Sequence, residues 1–460
     1  MKNTAPSWLA RLGERWRGSQ SRRAGRTTAA APPRLPVTIN KWWLGSVILV
    51  LALALLFWAT SARMLSEPVA VDYGPESALF RDSLGPLLSA EFTPGNRITT
   101  LVNGDEFFPP MLQAIREAKE TITFESYIWE SGRISDEFIA ALTERARAGV
   151  KVHVMVDGMG ALKFKDSDQR RLLDAGVEYV AYGREHWWQI KYNLNHHTHR
   201  KLLIVDGRVG FTGGMCVADS WLGNADSPER WRETQLRLEG PVVRQMQAVF
   251  ATNWIQTTGR LLVGPGYFKS INRSAEDRGA WALCYKSGPD EDPENARISY
   301  LLAVASARKS IKIAHAYFIP DDLAIDMLLA AQKRGVSVEI VVPAINDSRF
   351  GRAAARSRWG KLLAAGVKFY LYEPAMYHAK SMLVDDVFMT IGSTNFDNRS
   401  FRINDEVNVN ILDHAVVREN ARLFDRDVAA SRPLTLAEFR ARPWWIKIAD
   451  HFCGIFRSQL

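Results

Sequence analysis

From residue 121 the chain reads Thr-Ile-Thr-Phe-Glu-Ser-Tyr-Ile, with Ile122, Phe124 and Ile128 alternating with polar places, Ser126 interrupting, which is close to the period of a half-buried strand. A helix over 110–119 precedes it, and an amphipathic helix over 135–148, stopped by Gly149, leads to a second strand over 151–157. The same order recurs downstream as helix 295–307, strand 310–317, helix 322–333, Gly335 and strand 336–342. In both stretches a further helix then ends on Ala-Gly-Val, at Ala175-Gly176-Val177 and at Ala365-Gly366-Val367, and another strand follows. The pattern predicts an internal duplication, each half an α/β/α sandwich around a mixed sheet, over 97–265 and 266–430.

Residues 42–62 break this rhythm with 21 positions that carry no charge. As a helix rising about 1.5 Å per residue they would span roughly 30 Å, one bilayer core, with Trp42, Trp43 and Trp58 placed for its interfaces. A buried helix or a cleaved signal peptide is the competing reading. However, a leader of 41 residues is long for a signal peptide, and no Ala-x-Ala site follows. The expectation is one transmembrane helix, then a connector over 63–96 with a short helix over 76–88. At the other end, 431–460 reads as an amphipathic segment. Its apolar stretch from Trp444 to Phe456 suits a packed final helix or, as favoured here, one lying on a membrane.

Charge supports this division. Of the formal net +9, residues 1–41 hold nine Lys or Arg against Glu14, and the other 419 residues carry 50 basic and 49 acidic side chains. A near-neutral body argues against nucleic acid as a partner. The basic leader reads as disordered and, by the positive-inside rule, cytoplasmic, which would place everything after Arg63 on the outer face of a plasma membrane. Cys216, Cys284 and Cys453 lie far apart without a Cys-x-x-Cys spacing, so they imply no zinc site or disulfide framework.

One short pattern occurs twice with every matching position 179 residues apart. His199-Arg200-Lys201 is followed by Asp206 and Gly213-Gly214, and His378-Ala379-Lys380 by Asp385 and Gly392-Ser393-Thr394-Asn395. On a strand, His and Lys at i and i+2 share a face, so packing the two copies together would surround one small volume with two imidazoles and two ammonium groups. That volume suits a phosphate. The lysines would neutralise its oxygens, while one imidazole attacks phosphorus and the other protonates the leaving alcohol.

These motifs make the chain resemble the phospholipase D superfamily, whose signature is HxKx4D followed by G-[SG]-x-N. The resemblance covers about residues 97–430. The second motif, with Asn398-Arg399-Ser400 behind it, looks especially like bacterial cardiolipin synthases. It implies a bacterial inner-membrane phosphatidyltransferase that joins phospholipids, phosphatidylglycerol among them, with no metal or other cofactor. It makes His199 the nucleophile that forms a phosphohistidine and His378 the general acid and later base. Glu233 and Glu406 become candidates to orient the histidines through their second ring nitrogens. A phospholipase D that releases phosphatidic acid would use the same residues, and a nuclease of the superfamily is a further alternative.

Several positions carry a bland reading beside the functional one. Asp206 and Asp385 follow the motif strands in tight turns, where bonding turn amides competes with direct catalysis. Gly214 and Cys216 stand where the second copy has Ser393 and Asn395, so the expected site is asymmetric, with Ser393 and Asn395 supplying neutral phosphate contacts. The first half alone carries 11 extra residues before its motif, an aromatic and basic loop over 184–195 that would pack or contact substrate. His196 and His197 are adjacent, so on an extended chain they face opposite ways, which disfavours a metal site with His199.

Overall fold

A computed structural model of the chain describes residues 46, 65–183, 195–269, 279–290 and 292–459. Compact structure divides at residue 63 into Met1–Arg63 and Met64–Leu460, and the second unit is the one described below. The expected leader and membrane span lie, Ser46 aside, outside the described residues, as does the 184–195 loop except for Asn195. Among the described residues no helix is long and apolar enough to cross a membrane.

The first half contributes β1 (Thr93–Val102), β2 (Thr121–Ser126), β3 (Lys151–Asp157), β4 (Glu178–Tyr182), β5 (Leu202–Val205), β6 (Val209–Gly213) and β7 (Thr234–Glu239). The second contributes β8 (Ala280–Ser287), β9 (Ser310–His315), β10 (Ser337–Pro343), β11 (Lys368–Tyr372), β12 (Lys380–Val384), β13 (Phe388–Gly392), β14 (Glu406–Leu412) and β15 (Ser431–Leu434). Their spatial orders are β1-β7-β6-β5-β2-β3-β4 and β8-β14-β13-β12-β9-β10-β11, with β15 added at the edge, so the halves share one topology. Each sheet is mixed. The β-α-β strands β2, β3 and β4 run parallel, as do β9, β10 and β11, whereas β5 to β7 and β12 to β14 form antiparallel meanders.

The two sheets are not separate. Antiparallel β1 and β8 join them into one 15-stranded sheet, with Thr93 opposite Ala282 and Asn96 opposite Ala280 across an irregular register. Asn96 mends that irregularity by donating to the Ala280 carbonyl at 3.2 Å and accepting from Val242 N at 2.9 Å. Two helices lie across the seam: Gln245 in helix Val242–Thr258 accepts from Cys284 N, and Asn420 in helix His414–Ala429 donates to Thr100 Oγ1.

Alternation along the strands decides what packs on each face. In β5, Leu203 and Val205 join Ile122, Phe124 and Phe138 beneath helices Asn103–Glu117 and Arg133–Arg147, while Leu202 and Ile204 meet Met246 and Phe250 of Val242–Thr258. The second half does the same, with Met382 and Val384 on one face of β12 and Leu383 on the other. Burying both faces explains the nearly unbroken Val152-His153-Val154-Met155-Val156 run of β3.

Helix starts shift where capping overrides periodicity. The helix expected over 110–119 begins at Asn103, where Glu106 accepts from Val102 N at 2.8 Å, and it carries Pro109 and Pro110 in its interior.

Candidate active site

Each motif histidine sits just before its strand rather than inside it: β5 starts at Leu202, one residue past Lys201, and β12 starts at Lys380. The chain is still extended there, but its pairing partner belongs to the other half. Thr198 bridges to Asp405 and Tyr377 to Arg232, through His199 N donating to Asp405 O (2.9 Å) and His378 N to Arg232 O (2.8 Å). These two short ladders stitch the motifs across the pseudo-twofold axis. Buried side chains reinforce them: Arg232 makes a forked ion pair with Asp427 at 2.8–2.9 Å, and His196 Nε2 meets Asp405 Oδ1 at 2.9 Å.

The stitching carries Glu233 and Glu406 to the histidines of the opposite halves. Glu406, which opens β14 of the second half, takes His199 Nδ1 at 3.0 Å on both carboxylate oxygens. Glu233, from the first half, takes His378 Nδ1 at 2.6 Å. Both candidate orienting acids thus lie on the histidines, and each is exchanged between halves. The lysines complete the cluster. Lys201 Nζ donates to His199 O at 2.6 Å, and Lys380 Nζ to His378 O at 2.9 Å, within 3.0–3.2 Å of that residue's ring nitrogens. All four His and Lys side chains are buried, and they form one electrostatic unit in which Lys380 acts on His199 and Lys201 on His378.

Beyond these pairs the two sides differ. Ser393 Oγ donates to Glu406 Oε2 and accepts from Val407 N at 3.0 Å, so it holds the Glu406 carboxylate. At the matching position Gly214 leaves room for Glu233, since a Cβ there would lie 2.7 Å from Glu233 Cδ. Glu233 takes its hydrogen bonds from Thr234 N (2.9 Å) and Trp221 Nε1 (3.3 Å), while Asn103, at φ +61°, clamps its backbone by accepting from Glu233 N and donating to Glu233 O. Asn395 is buried beside the second motif with a side-chain oxygen that has no partner among the described residues; Cys216, its counterpart, is buried and free.

Burial pushes His199 down to about 4, with the Glu406 carboxylate opposing. It pushes His378 well below the ordinary imidazole range, helped by Lys380. The glutamates separate. Burial raises Glu233 to about 7; on Glu406 burial pulls the same way, but its pairing with the His199 imidazole, the Lys201 charge and the Ser393 hydroxyl win, leaving it below the usual carboxylate value. Burial lowers Lys380 to about 8.

Asp206 and Asp385 stand apart from this cluster, at the far ends of their strands. Asp206 accepts from the backbone N–H groups of Lys119, Glu120 and Thr121 at 2.7–2.9 Å, and Asp385 from those of Arg308, Lys309 and Ser310 at 2.7–2.8 Å. Both residues have left-handed backbones, φ +51° and +54°. The turn role competing with catalysis in the sequence is the geometry found here. His197 pairs with Asp157 at 3.3 Å, so it and His196 reach different carboxylates.

Aromatic walls are what the sequence did not single out. Tyr127 sets its ring edge-on to His199 at 4.9 Å and beneath Lys201 Nζ at 5.3 Å; Trp221 and Trp231 enclose His378 at 5.3 and 5.1 Å. Trp231 sits two places before Glu233, so a Trp-x-Glu following a motif was the available signal.

Comparison with known proteins agrees with this geometry. Residues 111–254 and 300–428 match the family model described as cardiolipin synthase, PLD-like domain. Cardiolipin synthase 2 of Bacillus anthracis is 35% identical over 82% of this chain and 73% of its own length. A cardiolipin synthase of Staphylococcus aureus is 32% identical over 81% and 76%. The crystal structure of phosphatidylserine synthase from Haemophilus influenzae shares the fold at 15% identity, with a TM-score of 0.60 over 82% of this chain and 98% of that one. With two matched segments across most of its globular body, the chain belongs to the cardiolipin synthase family of phospholipase D-like proteins.

Proposed function

We propose that this chain is a cardiolipin synthase that transfers a phosphatidyl group through a phosphohistidine, with phosphatidylglycerol as donor and acceptor. The observation that carries the mechanism is the crossed pairing of His199 with Glu406 and His378 with Glu233 beside two buried lysines.

His199, kept neutral by burial and held at Nδ1 by an ionised Glu406, has its Nε2 lone pair free to attack phosphorus. As the P–N bond forms, the P–O bond to the departing glycerol breaks, and that oxygen takes a proton from His378. Glu233, protonated up to about pH 7, keeps a proton within 2.6 Å of His378 Nδ1 to support that donation. In the second half-reaction His378 removes the proton from the hydroxyl of another phosphatidylglycerol, whose oxygen displaces His199 from phosphorus. Lys201 and Lys380 balance the charge on the nonbridging oxygens in both steps, with Asn395 as a neutral contact. Asp206 and Asp385 contribute by holding the motif turns.

This reading places the enzyme in a bacterial inner membrane, its span at 42–62 and its catalytic body outside; a reporter fused at Leu460 that is active solely in the cytoplasm would reverse that topology. The deciding assay is mass spectrometry of lipids made by purified protein from phosphatidylglycerol. Cardiolipin and glycerol in equal amounts are expected, both absent with His199→Ala. Phosphatidic acid as the main product would replace the transferase with a hydrolase.

A further inference from the structure

The helix Trp444–Ile455 carries its polarity inside out. Its buried residues are Asp450 and Gly454, while Trp444 is 73% exposed and Trp445, Ile448, Phe452 and Ile455 are 58–60% exposed. The inward face has clear causes. Asp450 accepts from Arg356 at 2.7 Å and from Arg442 at 2.5 Å, and Gly454 lies so close to Ser357 that a Cβ would come 2.6 Å from its hydroxyl. Positions 444, 448, 452 and 455 therefore form one outward apolar stripe, which Phe456 extends against Phe350 at 5.9 Å.

Charge around the stripe is mostly cationic, the exposed acids Asp322, which pairs with Arg457 and Arg358, and Asp347 being the exceptions. From Trp444 to Leu460 the sole acid is Asp450, already neutralised by two arginines, whereas Lys447 is exposed and Arg349 and Arg352 are exposed beside Phe350. Two tryptophans at one end of an apolar stripe with a cationic rim match the interface of an anionic bilayer.

The stripe also lies next to the site. Just past the helix, Arg457 O accepts from Asn398 Nδ2 at 3.3 Å, and Gln459 O accepts from Arg399 Nε at 3.1 Å. Gln459 Oε1 accepts from Asn195, four residues before His199. Loops at matched positions, two residues beyond β3 and β10, expose Met159 and Ile345 as well.

We propose that this apolar face is a monotopic membrane contact, seated in the interfacial layer of an anionic phospholipid bilayer so that the catalytic mouth meets lipid headgroups. The headgroup-facing orientation rests on the proposed phosphatidyl transfer; the docking itself does not.

The test uses the full chain reconstituted in vesicles of phosphatidylglycerol and phosphatidylcholine with brominated acyl chains, and needs no turnover. Tryptophan emission should be quenched, and Trp444→Phe/Trp445→Phe, a conservative change at exposed positions, should reduce the quenched fraction by at least a third. An unchanged quenched fraction would show that these tryptophans lie away from lipid, covered by a second copy or by residues 1–64, and would overturn the proposal. On the activity side, Trp445→Glu/Ile448→Glu/Phe452→Glu should lower turnover of vesicle substrate at least ten-fold more than turnover of detergent-dispersed substrate. Equal loss in both would count against it, as would conversion of a dimer to a monomer by the same substitutions.

Discussion

The two halves share a strand order and a motif, yet their histidines inhabit different surroundings. His199 leans on a carboxylate that a serine hydroxyl and a neighbouring lysine keep ionised; His378 leans on one that burial raises to about 7. A single position sets much of the contrast, since Ser393 can hydrogen-bond Glu406 while Gly214 gives Glu233 space but no hydroxyl. Duplication followed by such small changes turns two equivalent imidazoles into one site suited to a nucleophile and one suited to a proton donor. Because the glutamates are exchanged, neither half holds a complete histidine–carboxylate pair alone.

The largest expected effect separates those roles. His199→Ala and His378→Ala should each lower lipid turnover by about 10⁴-fold or more. With a substrate whose leaving group departs without a proton, such as a p-nitrophenyl phosphodiester, His378→Ala should still release a burst of nitrophenol and accumulate a phosphohistidine, while His199→Ala should do neither. A burst from His199→Ala that is lost in His378→Ala would exchange the assignments.

Next come the exchanged carboxylates. Glu406→Gln and Glu233→Gln should each cost about 10²- to 10³-fold, the scale of losing an oriented acid–base partner. Their pH profiles should differ. Turnover that needs neutral His199 disappears as pH falls through about 4, and turnover that needs the protonated Glu233–His378 pair disappears as pH rises through about 7. Glu233→Gln, whose amide cannot titrate, should displace the alkaline limb, and Glu406→Gln should leave it in place. An alkaline limb untouched by Glu233→Gln would remove that residue from proton delivery.

Smaller effects come from trying to make the sides alike. Ser393→Gly removes one hydrogen bond from Glu406 and should slow turnover about ten-fold, equivalent to about 1.4 kcal/mol. Gly214→Ser, nominally the restoration of symmetry, should cost more, because the new side chain must displace the Glu233 carboxylate. A Gly214→Ser enzyme as active as wild type would mean that Glu233 has another place to sit.

What the chain made legible follows from how local each signal is. Short apolar-rich runs marked β2, β3, β9 and β10, and the Ala-Gly-Val stops marked the starts of β4 and β11, because both signals are written into adjacent residues. The His–Lys pairs were readable for the same reason, being two residues apart on one extended segment. The exchange of Glu233 and Glu406 was not readable: it depends on a β1–β8 seam that joins residues nearly 190 positions apart and fuses two expected sandwiches into one sheet. The hydrogen bond of Ser393 to Glu406 was likewise not readable, because its partner comes 13 residues later on a neighbouring strand.

The motif aspartates give the smallest effect on turnover and the cleanest contrast with the histidines. Each caps the start of a parallel strand, β2 or β9, by accepting from three consecutive backbone N–H groups, a task the negative charge strengthens. Asn suits the left-handed backbone at 206 and 385 and preserves one acceptor oxygen, but its amide presents hydrogens to an N–H that needs an acceptor. Asp206→Asn and Asp385→Asn should each destabilise the fold by about 1–3 kcal/mol, read as a lower urea midpoint at constant m, while kcat at 20 °C falls less than about five-fold. If the two act alike, the motif's Asp belongs to the scaffold both halves inherited. A loss of kcat comparable to that of His199→Ala, with the midpoint unmoved, would instead return the aspartates to the chemistry.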